Sequence, residues 1–319
     1  MRIFRTERLW VGALLVGVVL AGIAFALCQP DTRPRTIGIL VRSNRSAVQD
    51  FLTGIGDSLE WQGYFYGQNL ILRTIRQEGK DPERIVKQLA GLDLLVVADP
   101  ELPLQSIRSN LRQPVLFGFI AKPVSEKLKN VIEKEPLMTG VSFLIPYERT
   151  LELAQRICGR YRRLTVILPP RSAWLDGPRL RKAAAALGIT VSVRTLSPDR
   201  IPELTTFKGT TDLIYLPDEP VWVARRRQIA AVAAETGLPI IGNSPDFRDI
   251  AVFVNYPDTV TMGEIAGQML IKIMHGSVTR YMPIEFSNDF RFVVNLTNCR
   301  RLNLPIAEED LSYANEIIQ

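Results

Sequence analysis

The sequence predicts an α/β protein: two doubly wound, parallel-sheet lobes joined by a multi-crossing hinge and preceded by an N-terminal hydrophobic helix. Three observations carry that expectation. Short apolar strands alternate with amphipathic helices from about residue 36 onward, and such alternation implies parallel sheets with helices on their faces. The run Leu94-Leu-Val-Val97 is apolar without interruption, as a strand covered on both faces has to be. The 319 residues exceed one ordinary domain, at about 100 to 200 residues each.

Residues 1–30 read as a targeting segment. Arg2, Arg5 and Arg8 precede or flank an apolar run, Leu9 to Leu27. A secretory core is about 7 to 15 residues long and a spanning helix about 20, so the run is nearer the length of an anchor. Ala24-Phe25-Ala26 nevertheless fits a small-x-small cleavage site. Cys28 offers a lipid attachment point, although Leu27 stands where a small residue is wanted. Cleaved signal, retained anchor and lipoprotein all remain open. Each puts residues from 31 onward outside the cytoplasm, because the arginines stay on the inner side.

The first half follows. Strand Thr36–Val41 leads to a helix from about Ala47 to Gln62, and strand Leu70–Ile75 leads to a helix at Asp81–Gly91, with Asp81 as its cap and Pro82 at its first position. Strands Leu94–Val97, Val115–Phe119 and Thr139–Phe143 complete it. The second half repeats the plan: helix Tyr147–Cys158, strand Leu164–Leu168, helix Pro178–Leu187, strands Val191–Leu196 and Asp212–Leu216, helix Ala224–Thr236, and strands Leu238–Gly242 and Ile250–Tyr256. Helix Val260–His275 is expected to return toward the first half, since the final strand and helix are too few for a third domain. That strand, around Phe292, runs into a helix expected to close the chain. The expected lobes are residues 31–142 with 277–319, and residues 143–276.

Ligands of doubly wound sheets sit at the carboxyl ends of the strands, and two facing lobes can close on one. The candidate ligand-binding residues at those ends are Ser43, Asn44, Asp99, Phe119, Ser142, Asp218, Asn243 and Tyr256. They supply hydrogen-bonding groups and aromatic walls, which a small-molecule pocket combines.

Several motifs carry a family resemblance. Phe292-Val-Val-Asn295-Leu-Thr, Leu302-Asn-Leu-Pro-Ile306 and Ala314-Asn-Glu-Ile-Ile318 resemble the C-terminal signature of the substrate-binding proteins of ABC importers, whose relatives include aromatic-amino-acid binders. Thr139-Gly-Val-Ser142 is similar to the family's crossing into the second lobe, and Tyr256-Pro-Asp258 to its region before the returning helix. The resemblance implies a type I periplasmic-binding fold, capture of an amino-acid-like molecule between the lobes, and delivery to an ABC permease. A membrane-anchored sensor or accessory receptor of the same fold, working with a signalling or outer-membrane partner, is the alternative. Asp218, in Tyr215-Leu-Pro-Asp218, resembles a family aspartate placed to receive an ammonium group; a helix cap near Trp222 is its competing role. The chain departs from the pattern at Asn303, where the family has Gly, at Glu219, at Lys122-Pro-Val124 and at Ser43-Asn-Arg45. Lysine and arginine at these last two places suit a ligand with an additional carboxylate or phosphate, or else point to solvent at the cleft rim.

Other classes find little support. The net charge of +6 is spread in short clusters such as Arg225-Arg-Arg227, without a nucleic-acid reading motif. A single histidine, His275, stands at a helix end before Gly276, where a cation complements the helix dipole; nucleophile triads and histidine-ligated metals lack their parts. Gly54 and Gly56 lack the third glycine of a dinucleotide fingerprint and are read as letting a helix pack closely. Cys158 and Cys299 are expected on helices of different lobes, as small buried hydrophobes. No enzyme activity, cofactor or metal is expected.

Overall fold

The computed structural model describes residues 33–41, 45–76, 88–89, 91–98, 113–121, 137–170, 172, 176–304 and 306–319. The targeting segment, the helix expected at Asp81–Gly91 and Lys122-Pro-Val124 lie outside them, apart from Gln88, Leu89 and Gly91, as does most of the first candidate loop. The described chain forms two sheets. The first holds β1 (Arg35–Val41), β2 (Leu70–Arg76), β3 (Leu94–Val97), β4 (Val115–Ala121), β5 (Met138–Phe143) and the short β11 (Glu285–Ser287), in the order β11-β5-β4-β3-β1-β2. All its pairings are parallel. The second holds β6 (Arg163–Leu168), β7 (Thr190–Thr195), β8 (Leu213–Leu216), β9 (Ile240–Gly242), β10 (Phe253–Pro257), β12 (Phe290–Asn295) and β13 (Glu316–Ile318), in the order β13-β12-β10-β9-β8-β6-β7.

Strand alternation gives each sheet two buried faces. In β1, Ile37, Ile39 and Val41 join one core with α1 (Ser46–Trp61), while Leu40 joins another with Leu95, Val97 and Phe117. In the second sheet Val166 and Tyr215 face α2 (Tyr147–Cys158) and α3 (Gly177–Ala186); Ile167, Ile214 and Leu216 face α4 (Pro220–Thr236). The indole of Trp222 on α4 is fully buried and donates to the Ile167 carbonyl at 3.0 Å, which pins the helix to the sheet.

Strand membership divides the chain differently from the lobe bounds expected from sequence. Helix α5 (Thr259–Met274) packs along α1 in the first lobe, returning to the first half as expected, although the expected bounds counted it in a second lobe ending at 276. Its Gly263 sits against the Phe51 carbonyl and Gly54, and its Gly267 against Ser58. Of residues 277–319, only β11 joins the first sheet; β12 and β13 join the second. The chain therefore crosses three times, at Phe143–Tyr147, Pro257–Thr259 and Ser287–Phe290. The last two crossings are bonded, Asp258 N–H to the Asp289 carbonyl at 2.9 Å. Entering beside the end of β10, β12 runs back along it, so this pair is antiparallel in an otherwise parallel sheet.

The end of the chain is a second correction. Rather than a closing helix there are two short helices, α6 (Leu296–Arg301) and α7 (Glu308–Leu311), and then strand β13. Asn303 ends the first of these regions in the left-handed conformation, φ 53°. Asn315 then clamps the returning backbone to β12, with its amide oxygen accepting from Phe292 N–H at 2.7 Å.

Cys158 and Cys299 are free thiols. They lie in the same lobe, because the strand leading to Cys299 belongs to the second sheet, which contradicts the expectation of separate lobes.

Candidate functional site

The carboxyl ends of β1, β5, β8, β9 and β10 converge between the lobes. In each sheet the chain order reverses beside the first strand, β1 between β2 and β3, and β6 between β7 and β8; a ligand crevice in such a sheet opens outside the carboxyl ends. Several helices also begin here: α1 at Ser46, α4 at Pro220 and α5 at Thr259. The cavity at this junction has about 270 Å³ of empty space including its mouth, and is lined by Ala47, Phe143, Asp218, Asn243, Pro245, Tyr256, Pro257 and Thr259. The first two come from the first lobe, Asp218, Asn243, Pro245 and Tyr256 from the second, and Pro257 and Thr259 from the crossing between them.

Asp218 lies at the turn between β8 and α4, held by the apolar strand Leu213–Leu216 on one side and the buried Trp222 on the other. The cap of α4 is Glu219, not Asp218. Arg45, at the start of α1, reaches across from the other lobe and forms an ion pair with Asp218; both side chains are 8% exposed. The Arg45 guanidinium also approaches Asp246, at 3.9 Å, and Ser46 Oγ donates to Asp246 at 2.8 Å. Two charges on opposite lobes, both withdrawn from water, thus face one another. A buried ion pair offsets its desolvation only with good geometry, and losing one partner typically costs about 3 to 5 kcal/mol.

Around this pair lie buried polar atoms with no hydrogen-bond partner among the described residues: both amide atoms of Asn243, the Tyr215 hydroxyl and the Thr259 hydroxyl. Burial, with the Tyr147 hydroxyl and Asp218 nearby, raises the Tyr215 pKa well above its ordinary value, so the phenol is neutral. Each such group left without a partner costs about 1 to 3 kcal/mol, and native proteins keep few of them. Asn243 and Thr259 line the cavity itself, and unmet polar groups there mark a surface built to meet a polar molecule. Tyr256 contributes a buried ring; desolvation raises its pKa, opposed by its hydrogen bond to Arg248.

Of the residues expected from sequence, Asp218, Asn243 and Tyr256 come together at the cavity. Ser142 is buried in β5 and does not line it, whereas its neighbour Phe143 does. Ser43, Asn44, Asp99 and the side chain of Phe119 lie outside the described residues. The candidate set omitted Arg45, Tyr215, Asp246 and Thr259. Thr259 carried a signal, following Asp258, whose carboxylate caps α5 by accepting from Thr261 N–H at 3.3 Å. Tyr215 carried one as well, being the only hydroxyl on strand Leu-Ile-Tyr-Leu. Among the described residues, no group of three or more His, Cys, Asp or Glu is placed to hold a metal, and no helix is long and apolar enough to cross a membrane.

Two parallel-sheet lobes, three crossings and a polar cavity between them define a type I periplasmic binding protein. Residues 36–318 match the family model described as "ABC transporter substrate binding protein", and the chain belongs to that family. Among characterised relatives, a tyrosine-binding protein of Clostridioides difficile (strain R20291) is 18% identical over 292 residues, 88% of this chain and 85% of the relative. Among solved structures, an ABC domain from Streptococcus pneumonia in complex with L-Trp superposes with a TM-score of 0.78 at 20% identity, covering 89% of this chain and all of that one. A conserved domain protein from Vibrio cholerae gives a TM-score of 0.77 at 21% identity, again over 89% of this chain and all of that one. Proteins of this family bind small-molecule ligands outside the cytoplasm and work with ABC transporters.

Proposed function

We propose that this protein captures a zwitterionic, amino-acid-like molecule between its lobes and delivers it to an ABC permease. The observation that carries the reading is the pair of opposite charges set across the cavity, Arg45 from one lobe and Asp218 from the other. Asp218 receives the ammonium group, and Arg45 turns from its partner to the carboxylate, for which a guanidinium is the natural fork-shaped donor. Asn243 offers both a donor and an acceptor, and the Tyr215 and Thr259 hydroxyls complete the polar contacts. Phe143, Tyr256 and the two prolines, Pro245 and Pro257, form the walls. Ser43, Asn44, Asp99 and Phe119, which follow apolar strands in the sequence, remain candidates for further ligand contacts; Ser142 precedes the lining residue Phe143. The named ligands of the relatives, tyrosine and L-Trp, are amino acids with aromatic side chains, in keeping with these walls.

Entry requires the lobes to part, since the Arg45–Asp218 and Ser46–Asp246 bridges close the cleft. Ligand then replaces the ion pair and the lobes close again, a hinge motion about the three crossings. The N-terminal segment, as a cleaved signal or a retained anchor, takes the domain to the periplasm or the extracytoplasmic face of the inner membrane.

A thermal-melting screen against amino acids, short peptides, nucleobases and organic acids tests this reading. An amino acid at a hundred times its dissociation constant stabilises by about 2.7 kcal/mol, and Asp218→Asn should cut the affinity roughly ten- to a hundredfold, as losing a charged hydrogen bond of about 1.5 to 3 kcal/mol implies. A shift unchanged by Asp218→Asn would remove that residue from the site; stabilisation by nucleobases alone would overturn the ligand class.

A further inference from the structure

Asn243, Asn255, Asn295 and Asn298 are all buried in the second lobe, and the last three are satisfied by the protein. Asn255 Nδ2 donates to Thr150 Oγ1 at 2.8 Å, Asn295 Nδ2 to the Arg248 carbonyl at 2.9 Å, and Asn298 Nδ2 to the carbonyls of Asp249 and Ala251, each at 3.0 Å. Asn243 is different. It is 2% exposed, yet neither its amide oxygen nor its amide nitrogen has a hydrogen-bond partner among the described residues. A buried amide in that state is costly, and native proteins keep few.

The fold also holds Asn243 in place. It follows β9, whose residues are all buried, and its own N–H donates to the Leu216 carbonyl of β8 at 3.3 Å. On its other side Ser244 opens a one-turn helix, Pro245–Phe247, by accepting from Asp246 N–H at 3.4 Å. Phe247 is fully buried and packs so closely on Gly242 that a Cβ there would stand 2.8 Å from its ring. The amide therefore cannot turn to solvent without breaking this turn, and it lines the cavity.

The two ends of an amino acid do not match it. An ammonium group only donates and a carboxylate only accepts, whereas a carboxamide presents an acceptor and a donor side by side. Either end would satisfy one atom of Asn243 and strand the other. Asp218 and Arg45 already oppose those ends, and the Tyr215 and Thr259 hydroxyls, which rotate to give or to accept, can complete them. The group that suits Asn243 both donates and accepts, as a hydroxyl or a carboxamide does.

We infer that Asn243 is a specificity-determining residue of the cleft and that the ligand is an amino acid whose side chain carries a hydroxyl or a carboxamide. The inference rests on the amino-acid reading of the cleft and narrows it.

The test is isothermal titration of the full chain with near-isosteric pairs: tyrosine with phenylalanine, threonine with valine, and glutamine with methionine. The polar member of one pair should bind about tenfold or more tightly than its partner, since a site built to hydrogen-bond a polar group rejects the analogue that lacks it. Which pair shows the gap separates a phenolic hydroxyl, an aliphatic hydroxyl and a carboxamide. In Asn243→Leu, a side chain of similar volume, the gap should close through weaker binding of the polar member. Equal affinities within every pair, as when a bound water satisfies Asn243, overturn the inference and leave the amino-acid reading standing. A gap that survives Asn243→Leu places the selecting group elsewhere and also overturns it. The comparison within each pair needs no variant, so it decides the matter even where Asn243→Leu does not fold. Failure of every amino acid to bind removes the amino-acid reading, and the inference with it.

Discussion

At the scale of single residues, the cleft is a place where several side chains are held in costly states. Asn243, Tyr215 and Thr259 keep polar atoms buried without hydrogen-bond partners among the described residues, and Arg45 and Asp218 are ionic groups withdrawn from solvent. Asp50 is another such residue. It lies on α1, and its carboxyl pKa is raised, first by burial and then by the nearby Asp258, with Asp246 adding to the effect and Arg248 and Arg291 opposing it. A carboxyl whose folded pKa exceeds its unfolded value favours folding while protonated and opposes it once both states are ionised. Asp50→Asn should therefore raise the melting temperature at neutral pH, with the advantage fading as the pH falls through the carboxylate range. Melting curves of the two proteins across that range decide the matter; an advantage that grows on acidification would mean that burial and Asp258 do not dominate at this site.

At the scale of elements, the sequence located nearly every strand and helix among the described residues, because apolar period and turn residues are local properties. Leu94–Val97 and Tyr147–Cys158 were legible to the residue. Partnership was not legible. Nothing local in Phe290–Asn295 says which sheet it joins, since that is decided by the crossing beside Pro257. Strand β13 was hidden in the same way: three residues carry too little pattern, and pairing with β12 makes them a strand. Site residues divide along the same line. Asp218, Asn243 and Tyr256 follow strands and were found by that rule; Arg45 also follows a strand and was noted as suited to an anionic ligand group, but its ion pair with Asp218 on the opposite lobe is announced by no spacing in the sequence. Asn303 shows why one departure from the family pattern is harmless, since asparagine tolerates the left-handed conformation for which glycine is otherwise used. The two glycines of α1 are sharper still. A Cβ at Gly54 would run into the Val260 carbonyl and the backbone of Gly263 and Glu264, whereas a Cβ at Gly56 meets nothing within 4 Å. Gly54→Ala should destabilise by about 1 to 3 kcal/mol through overpacking against α5. Gly56→Ala should stabilise by roughly 0.5 to 1 kcal/mol through helix propensity alone. Urea unfolding of both variants gives the comparison, and equal effects would contradict the close packing of α1 on α5.

At the scale of the whole molecule, the three crossings and the bridges over the cleft make a two-lobed device whose closed form is held by charge. Arg45 and Asp218 join the lobes and are also the groups that a zwitterion would satisfy, so binding exchanges one ionic closure for another. The direct measurement of this claim is isothermal titration with L-tryptophan and L-tyrosine beside their decarboxylated amines and deaminated acids. If both ends of the ligand are read, one by Asp218 and the other by Arg45, each one-ended analogue should bind about a hundredfold or more weakly, as sites that leave a buried polar group unpaired discriminate strongly. An amine or an acid that binds as tightly as its parent amino acid would contradict the account.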